Sequence, residues 1–146
     1  MKISIGSDHA GFEYKKQISE WLKTLGHQVL DFGAFSTDSV DYPDYAFPTA
    51  EAVAAGVADY GIVICGSGIG VSIVANKVTT IRCANCCTPE MAELARRHNN
   101  ANVLAYGARL IDIETAKEIT QAFIEGEFEG DRHMIRVEKI HSITGW

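Results

Sequence analysis

Cys65-Gly66-Ser67-Gly68-Ile69-Gly70 sets a thiol at the end of an apolar run, residues 60–64, and three glycines before a second apolar segment, residues 71–77. The run reads as a buried strand and the segment as a helix. A strand that turns through glycines into a helix gathers backbone N–H groups and the positive end of a helix dipole at one spot. An anion fits there. The same field stabilises negative charge on the Cys65 sulfur, so one short segment offers an anion cradle and a base or nucleophile. Cysteine is also a common small core residue, but core packing does not call for three glycines. The loop lacks the Lys-Ser/Thr ending of a nucleotide P-loop. Nor does it follow the first strand, as a dinucleotide fingerprint does. A small anion is the better match.

Asp8-His9 ends the first apolar stretch, Lys2–Ser7. A carboxylate beside an imidazole at a strand's end suits contact with sugar hydroxyls or a phosphate. An equally weighted reading has Asp8 capping the next helix and His9 simply exposed. Arg96-Arg97-His98-Asn99 closes a helical pattern. Basic residues there complement the negative end of the dipole, which accounts for an arginine. His98 has the chemistry of an acid–base group and stands just before a strand. Arg132 and Arg136, with His133 beside them, are four apart and share a helix face. Two guanidinium groups match a phosphate. Taken alone, a solvated face paired with Glu129 or Glu138 is the plainer reading. Cys83, Cys86 and Cys87 have no second ligand pair at zinc spacing, so buried or edge thiols are expected and no metal.

The elements that must hold these residues alternate along the chain. Strands are expected at 2–7, 29–32, 60–64, 80–86 and 102–106. Helices are expected at 11–26, 45–56, 68–77, 89–98, 113–125 and 132–143, with a polar loop at 36–44. This alternation predicts a three-layer α/β/α sandwich with a five-stranded parallel, Rossmann-like sheet. Ligands of such sheets bind beyond the carboxyl ends of the strands, at a switch in strand order. That places Asp8-His9 and the Cys65 loop on one rim.

The chain has 146 residues, 47% hydrophobic and 22% charged. One domain spanning 1–146 is expected. No apolar run approaches the ~20 residues that cross a bilayer, and no signal peptide is visible. A net charge of -6 argues against general nucleic-acid binding. Four cysteines without a disulfide framework fit a reduced, cytoplasmic setting. The charged segment from about 126 to 146 is rather detached and is expected to pack on a partner subunit.

The ordered motifs match a family. Gly6-Ser7-Asp8-His9-Ala10-Gly11-Phe12, Asp41-Tyr42-Pro43, the Cys65–Gly70 loop, Ala75-Asn76-Lys77, Arg97-His98-Asn99, the stretch 102–109 and the stretch 130–137 occur in sequence. Together they resemble ribose-5-phosphate isomerase B and the related galactose-6-phosphate isomerase subunits. The resemblance implies a cofactor-free aldose–ketose isomerase of the pentose phosphate pathway. Its site would lie between the subunits of a homodimer, possibly a tetramer. Position by position it implies Cys65 as the base that moves a proton between C2 and C1, and His98 as the acid that helps open the sugar ring. Asp8 and His9 would hold substrate. Gly66, Ser67, Gly68, Ile69 and Gly70 would cradle the enediolate. Asn99, Arg109, Arg132 and Arg136 would bind the rest, with the arginines on phosphate.

One branch of that family uses a glutamate just after the last loop glycine. Here the position is Val71, so this chain resembles the cysteine-dependent branch. Ribose 5-phosphate is the expected substrate, and allose or galactose 6-phosphate the alternative. Galactose-6-phosphate isomerase needs two different subunits. A non-catalytic sugar-phosphate-binding module is a remoter reading, since binding alone needs neither Cys65 nor His98. A redox role for Cys86-Cys87 is remoter still.

Overall fold

The computed structural model describes residues 1–145. The strands are β1 (Lys2–Ser7), β2 (Gln28–Asp31), β3 (Tyr60–Cys65), β4 (Cys83–Asn85) and β5 (Val103–Gly107). The helices are α1 (Phe12–Thr24), α2 (Pro43–Ala54), α3 (Ile69–Ala75), α4 (Pro89–Asn99), α5 (Ile113–Glu125) and α6 (Asp131–Thr144). Every strand pair is parallel, in the order β2-β1-β3-β5-β4. The α/β sandwich expected from the alternation is the one found.

Strand order dictates the layers. The steps β1 to β2 and β4 to β5 move toward the β2 edge, and the other two move toward the β4 edge. Right-handed crossovers in opposite directions put their helices on opposite faces. Side chains that alternate along each strand feed both cores. Ile62, Ile64, Leu104 and Tyr106 meet Ile18 and Leu22 of α1, Ala92 of α4 and Phe123 of α5. Val63, Cys65, Val103 and Ala105 meet Ala50 and Val53 of α2 and Val71 of α3. The Cys65 side chain therefore faces the α2/α3 layer.

Most boundaries move by a residue or two, and β4 and α2 differ most from expectation. β4 is only Cys83–Asn85, where a strand over 80–86 was expected. Asn102 and Asn76 side chains take the place of ladder partners. Asn102 accepts from the Arg82 amide at 2.8 Å and donates to the Thr80 carbonyl at 2.9 Å, and Asn76 accepts from the Cys83 amide at 2.8 Å. Thr80 also adopts a left-handed φ of 73°, which no strand residue keeps. α2 starts two residues early, with Pro43 in its first turn, where a missing N–H costs nothing.

The end of β5 holds the Cys65 loop in place. Cys65 and Gly107 are register partners. Ala108 donates to the Cys65 carbonyl at 2.9 Å and Arg109 to the Gly66 carbonyl at 3.0 Å. A Cβ on Gly107 would stand 2.6 Å from the Ser67 carbonyl carbon and 2.7 Å from the Gly66 oxygen. Both are backbone atoms with no room to yield. Gly107→Ala is therefore expected to cost about 1–3 kcal/mol. Thermal unfolding would show a Tm drop on the order of 5 °C for a chain of this length. An unchanged Tm would contradict the close approach.

Candidate active site

Strand order sets where a ligand binds. The chain leaves β1 for one face, through α1, and leaves β3 for the other, through α3. A crevice opens between their carboxyl ends. Asp8, Tyr42, Cys65, Gly66, Ser67, Gly70, Arg109 and Leu110 line a cleft of about 370 Å³ there. A larger cleft of about 680 Å³ lies beside α2, lined by Phe47, Glu51, Lys77 and residues 78–80, and it holds no thiol or imidazole.

Cys65 is 5% exposed, and its Sγ accepts the Gly68 amide at 3.2 Å. That bond supports negative charge on sulfur. Gly68 sits at φ 77°, the left-handed region that turns its amide inward. A Cβ there would meet Asn85 Oδ1 at 2.4 Å and the Tyr106 backbone. Glycine at 68 is thus required by both conformation and space. The Ser67 hydroxyl oxygen accepts the Ile69 amide at 3.2 Å, which orients the group and leaves its proton to donate. Within the loop, one amide thus closes on the thiol and a second on the Ser67 hydroxyl.

The two readings of Asp8 turn out to be compatible. One carboxylate oxygen accepts the Ala10 amide at 2.9 Å and the Gly11 amide at 3.1 Å, an Asx-type cap on the start of α1. The residue is buried at the cleft wall. His9 Nδ1 accepts the Val40 amide at 3.2 Å. The ring's proton then sits on Nε2, which is a donor. The bond also ties the 36–42 loop to the rim.

Tyr42 was absent from the expected site. It precedes the proline that starts α2, and its ring covers Gly70, where a Cβ would stand 2.7 Å from Cζ. The signal was in the sequence: Tyr42 lies in Asp41-Tyr42-Pro43, and Gly70 is the loop glycine that admits the ring. Arg109 crosses Gly66, whose Cβ would come within 3.2 Å of the guanidinium. Arg109 has no carboxylate partner among the described residues, so its charge is available to an anion.

His98, Asn99, Arg132 and Arg136 are not in this cleft. Helix α4 runs back against the strands, so its last turn lies near the amino end of β5, while Cys65 pairs with that strand's last residue. The four steps from Val103 to Gly107 span about 13 Å. Helix α4 also packs on the face that Cys65 turns away from. The length of β5 and the sheet itself separate the Cys65 thiol from the His98 imidazole within one chain.

At that far edge a second cluster forms. The His98 and His133 rings stack with centroids 4.2 Å apart and planes 8° from parallel. Glu129 Oε2 is 3.8 Å from His98 Nε2 and 3.5 Å from His133 Nε2. Burial, then the neighbouring His98 and Arg132, hold the His133 imidazole below the usual histidine range. Arg97 hydrogen-bonds and pairs with Glu129, which holds that carboxyl below its usual range. Donor atoms of the three residues fall within 4.8 Å of one another. Imidazole lone pairs lie in the ring planes, and two parallel stacked planes do not converge on one point, so the cluster suits proton chemistry better than a cation.

Arg132 and Arg136 lie exposed on α6 beside this cluster, and neither has a carboxylate partner among the described residues. The expected pairing with Glu129 or Glu138 does not form, because Glu129 goes to Arg97. Arg96 sits in the last turn of α4 as expected, but it is buried over the Tyr60 ring and donates to the Ala101 carbonyl at 2.6 Å, just beyond the helix end. Burial pushes the Cys83 thiol up and the Cys86 thiol up to about 12, which makes both inert.

Comparison with known proteins identifies the family. Residues 3–140 match the family model described as Ribose/Galactose Isomerase. The chain is 47% identical over 142 residues to ribose-5-phosphate isomerase B of Escherichia coli, covering 97% of this chain and 95% of that one. It superposes on ribose-5-phosphate isomerase B of Clostridium thermocellum with a TM-score of 0.98 and 49% identity, covering 99% and 98% of the two chains. The ribose-5-phosphate isomerase B of Mycoplasma genitalium, solved with bound ribulose-5-phosphate, aligns with a TM-score of 0.94 at 41% identity, over 99% and 96% of the two chains. With a thiol, a glycine loop and free arginines on a fold shared end to end, the chain belongs to the ribose/galactose isomerase family.

Proposed function

We propose that this protein interconverts ribose 5-phosphate and ribulose 5-phosphate through an enediolate, as a step of the pentose phosphate pathway. The observation that carries the reading is the Cys65 thiol receiving the Gly68 amide at 3.2 Å, in a cleft shared with Asp8, Ser67 and Arg109. The relative solved with ribulose-5-phosphate supports the substrate class.

The chemistry needs three things. The C2 proton of the open-chain aldose is a weak acid, so a base must sit against it. Cys65 as thiolate takes that proton, and the same thiol returns it to C1. The negative charge that builds on the substrate oxygens needs fixed donors; each such donor is worth roughly 10²–10³ in kcat. The Ser67 hydroxyl, whose oxygen takes the Ile69 amide and whose proton is left to donate, is the candidate donor, with the loop segment Gly66–Gly70 around it. Asp8 and His9 Nε2–H hold sugar hydroxyls, and the phosphate anchors the reacting carbons from a distance.

The cyclic sugar must also open, which needs a second acid–base group. His98 is the candidate, and a homodimer supplies it. We infer that the partner copy brings its α4–α6 edge to the Cys65 cleft, contributing His98, Asn99, Arg132 and Arg136 beside Arg109. Helix α6 supports this pairing. Of its side chains only Val137 is buried, whereas Ile135 is 68% and Ile143 74% exposed. Ile69 and Ile73 are exposed on α3, next to the cleft. Apolar surface of this extent calls for cover.

Cys65→Ala is expected to lower turnover of ribose 5-phosphate by about 10²–10⁴-fold with fold intact. An unimpaired variant would remove Cys65 as the base. Shared sites predict complementation. Cys65→Ala and His98→Ala chains, each nearly inactive, should regain about a quarter of full activity when mixed, unfolded and refolded together, since half the dimers carry one complete site of two. No recovery would place both groups in one chain's site. The six-carbon alternative is tested by kcat/KM on ribose 5-phosphate against allose 6-phosphate. A higher value for the hexose would transfer the function to that substrate.

A further inference from the structure

On the reading that His98 opens the sugar ring, we infer that His133, braced by Glu129, is the positioning residue that sets the plane of the His98 imidazole. Several independent contacts converge on this pair. The rings stack face to face, with centroids 4.2 Å apart and planes only 8° from parallel. His98 itself is about one-third exposed at a helix end, where an imidazole would otherwise turn freely about its χ angles. His133 is 12% exposed and is the better-fixed partner.

The brace runs through the backbone, with the Glu129 carboxylate held beside it by Arg97. The Glu129 amide donates to the Arg97 carbonyl at 3.0 Å, one residue before His98. Its carboxylate is held by Arg97, which Glu93 braces in turn at 2.8 Å. Gly130 at φ 69° and Asp131 at φ 44° then turn the chain sharply into α6. The His133 amide donates to the Gly130 carbonyl at 2.9 Å, and the ring comes to rest over His98. Glycine and aspartate are the residue types that accept such a φ most readily.

Charge assigns the two rings different tasks. The groups facing them are Glu129 from the loop, Arg97 and, through it, Glu93 from α4, and Arg132 and Arg136 from α6. Burial and the surrounding cations disfavour a proton on His133, whose Nε2 is buried without a hydrogen bond among the described residues. His133 is the neutral plate of the pair. Its ring face is what it contributes, so a flat apolar ring should replace it and a methyl group should not.

Two measurements test this. In the unliganded protein, ring ¹⁵N and ¹H resonances of His98 should move in His133→Ala and in Glu129→Gln, while those of His9 stay in place. In steady state with ribose 5-phosphate, His133→Ala should lower kcat about tenfold with KM within about twofold, as expected for a misplaced catalytic group. His133→Phe should recover kcat to within about threefold of wild type, because the stack is restored. Three results would overturn the inference: an unchanged kcat in His133→Ala, a raised KM at full kcat, or a Phe variant no better than Ala. A wild-type chain inert toward ribose 5-phosphate would instead overturn the functional reading, and the His98 resonances would still decide the pairing.

Discussion

Strand polarity is the constraint on which everything else in this molecule depends. Five parallel strands put every carboxyl end on one rim, and every returning helix must carry its own last turn to the other rim. The Cys65 loop and Asp8 follow strands, so they share a rim. His98, Asn99 and the start of α6 follow helix α4 or α5, so they share the opposite one. No side-chain rotamer bridges that gap. In the proposed homodimer, symmetry repeats each rim in a second copy and lets unlike rims meet.

Within each rim, small residues do the positioning. The Cys65 loop is clamped between the end of β5 and the Tyr42 ring, and glycines at 66, 68, 70 and 107 let backbone or ring come closer than any Cβ permits. Bulkier groups then fix direction. Lys15, buried at 2%, bonds Asp31, whose carboxylate also accepts the Gly33 amide at 2.8 Å. Gly33 and Ala34 pair with Ser7, and this carries the chain past the end of β1 toward the loop that holds His9. A rigid floor and a tied loop together preorganise the cleft before a ligand arrives.

The sequence made the fold class legible because its apolar patterns alternate cleanly between strand and helix. The Cys65 loop was legible because three glycines beside a thiol stand out along the chain, although the structure also gives each a packing reason that spacing could not show: the Arg109 side chain over Gly66, the Tyr106 backbone against Gly68 and the Tyr42 ring over Gly70. Residue spacing was mute about strand order, whereas the far-rim position of His98 follows from polarity alone: it ends a helix just before a strand of a parallel sheet. Arg132 and Arg136 read alone as a solvated helix face, since nothing local shows that Glu129 is engaged by Arg97 across 32 residues. Thr80–Arg82 read as strand from its apolar and β-branched content. Long-range bonds from the Asn76 and Asn102 side chains, which no local pattern encodes, capture that backbone instead.

Those asparagines have a consequence at the sheet's border. β4 is an outer strand, and three residues are all it offers; β2, at the other border, offers four. An outer strand with free N–H and C=O groups is a template on which foreign chains add and stack into fibrils. By capping residues 80–83 with amide side chains, the molecule withdraws that template. A parallel sheet of this kind forms slowly and exposes its borders while folding, and two short, blunted borders keep crowded copies from joining edge to edge.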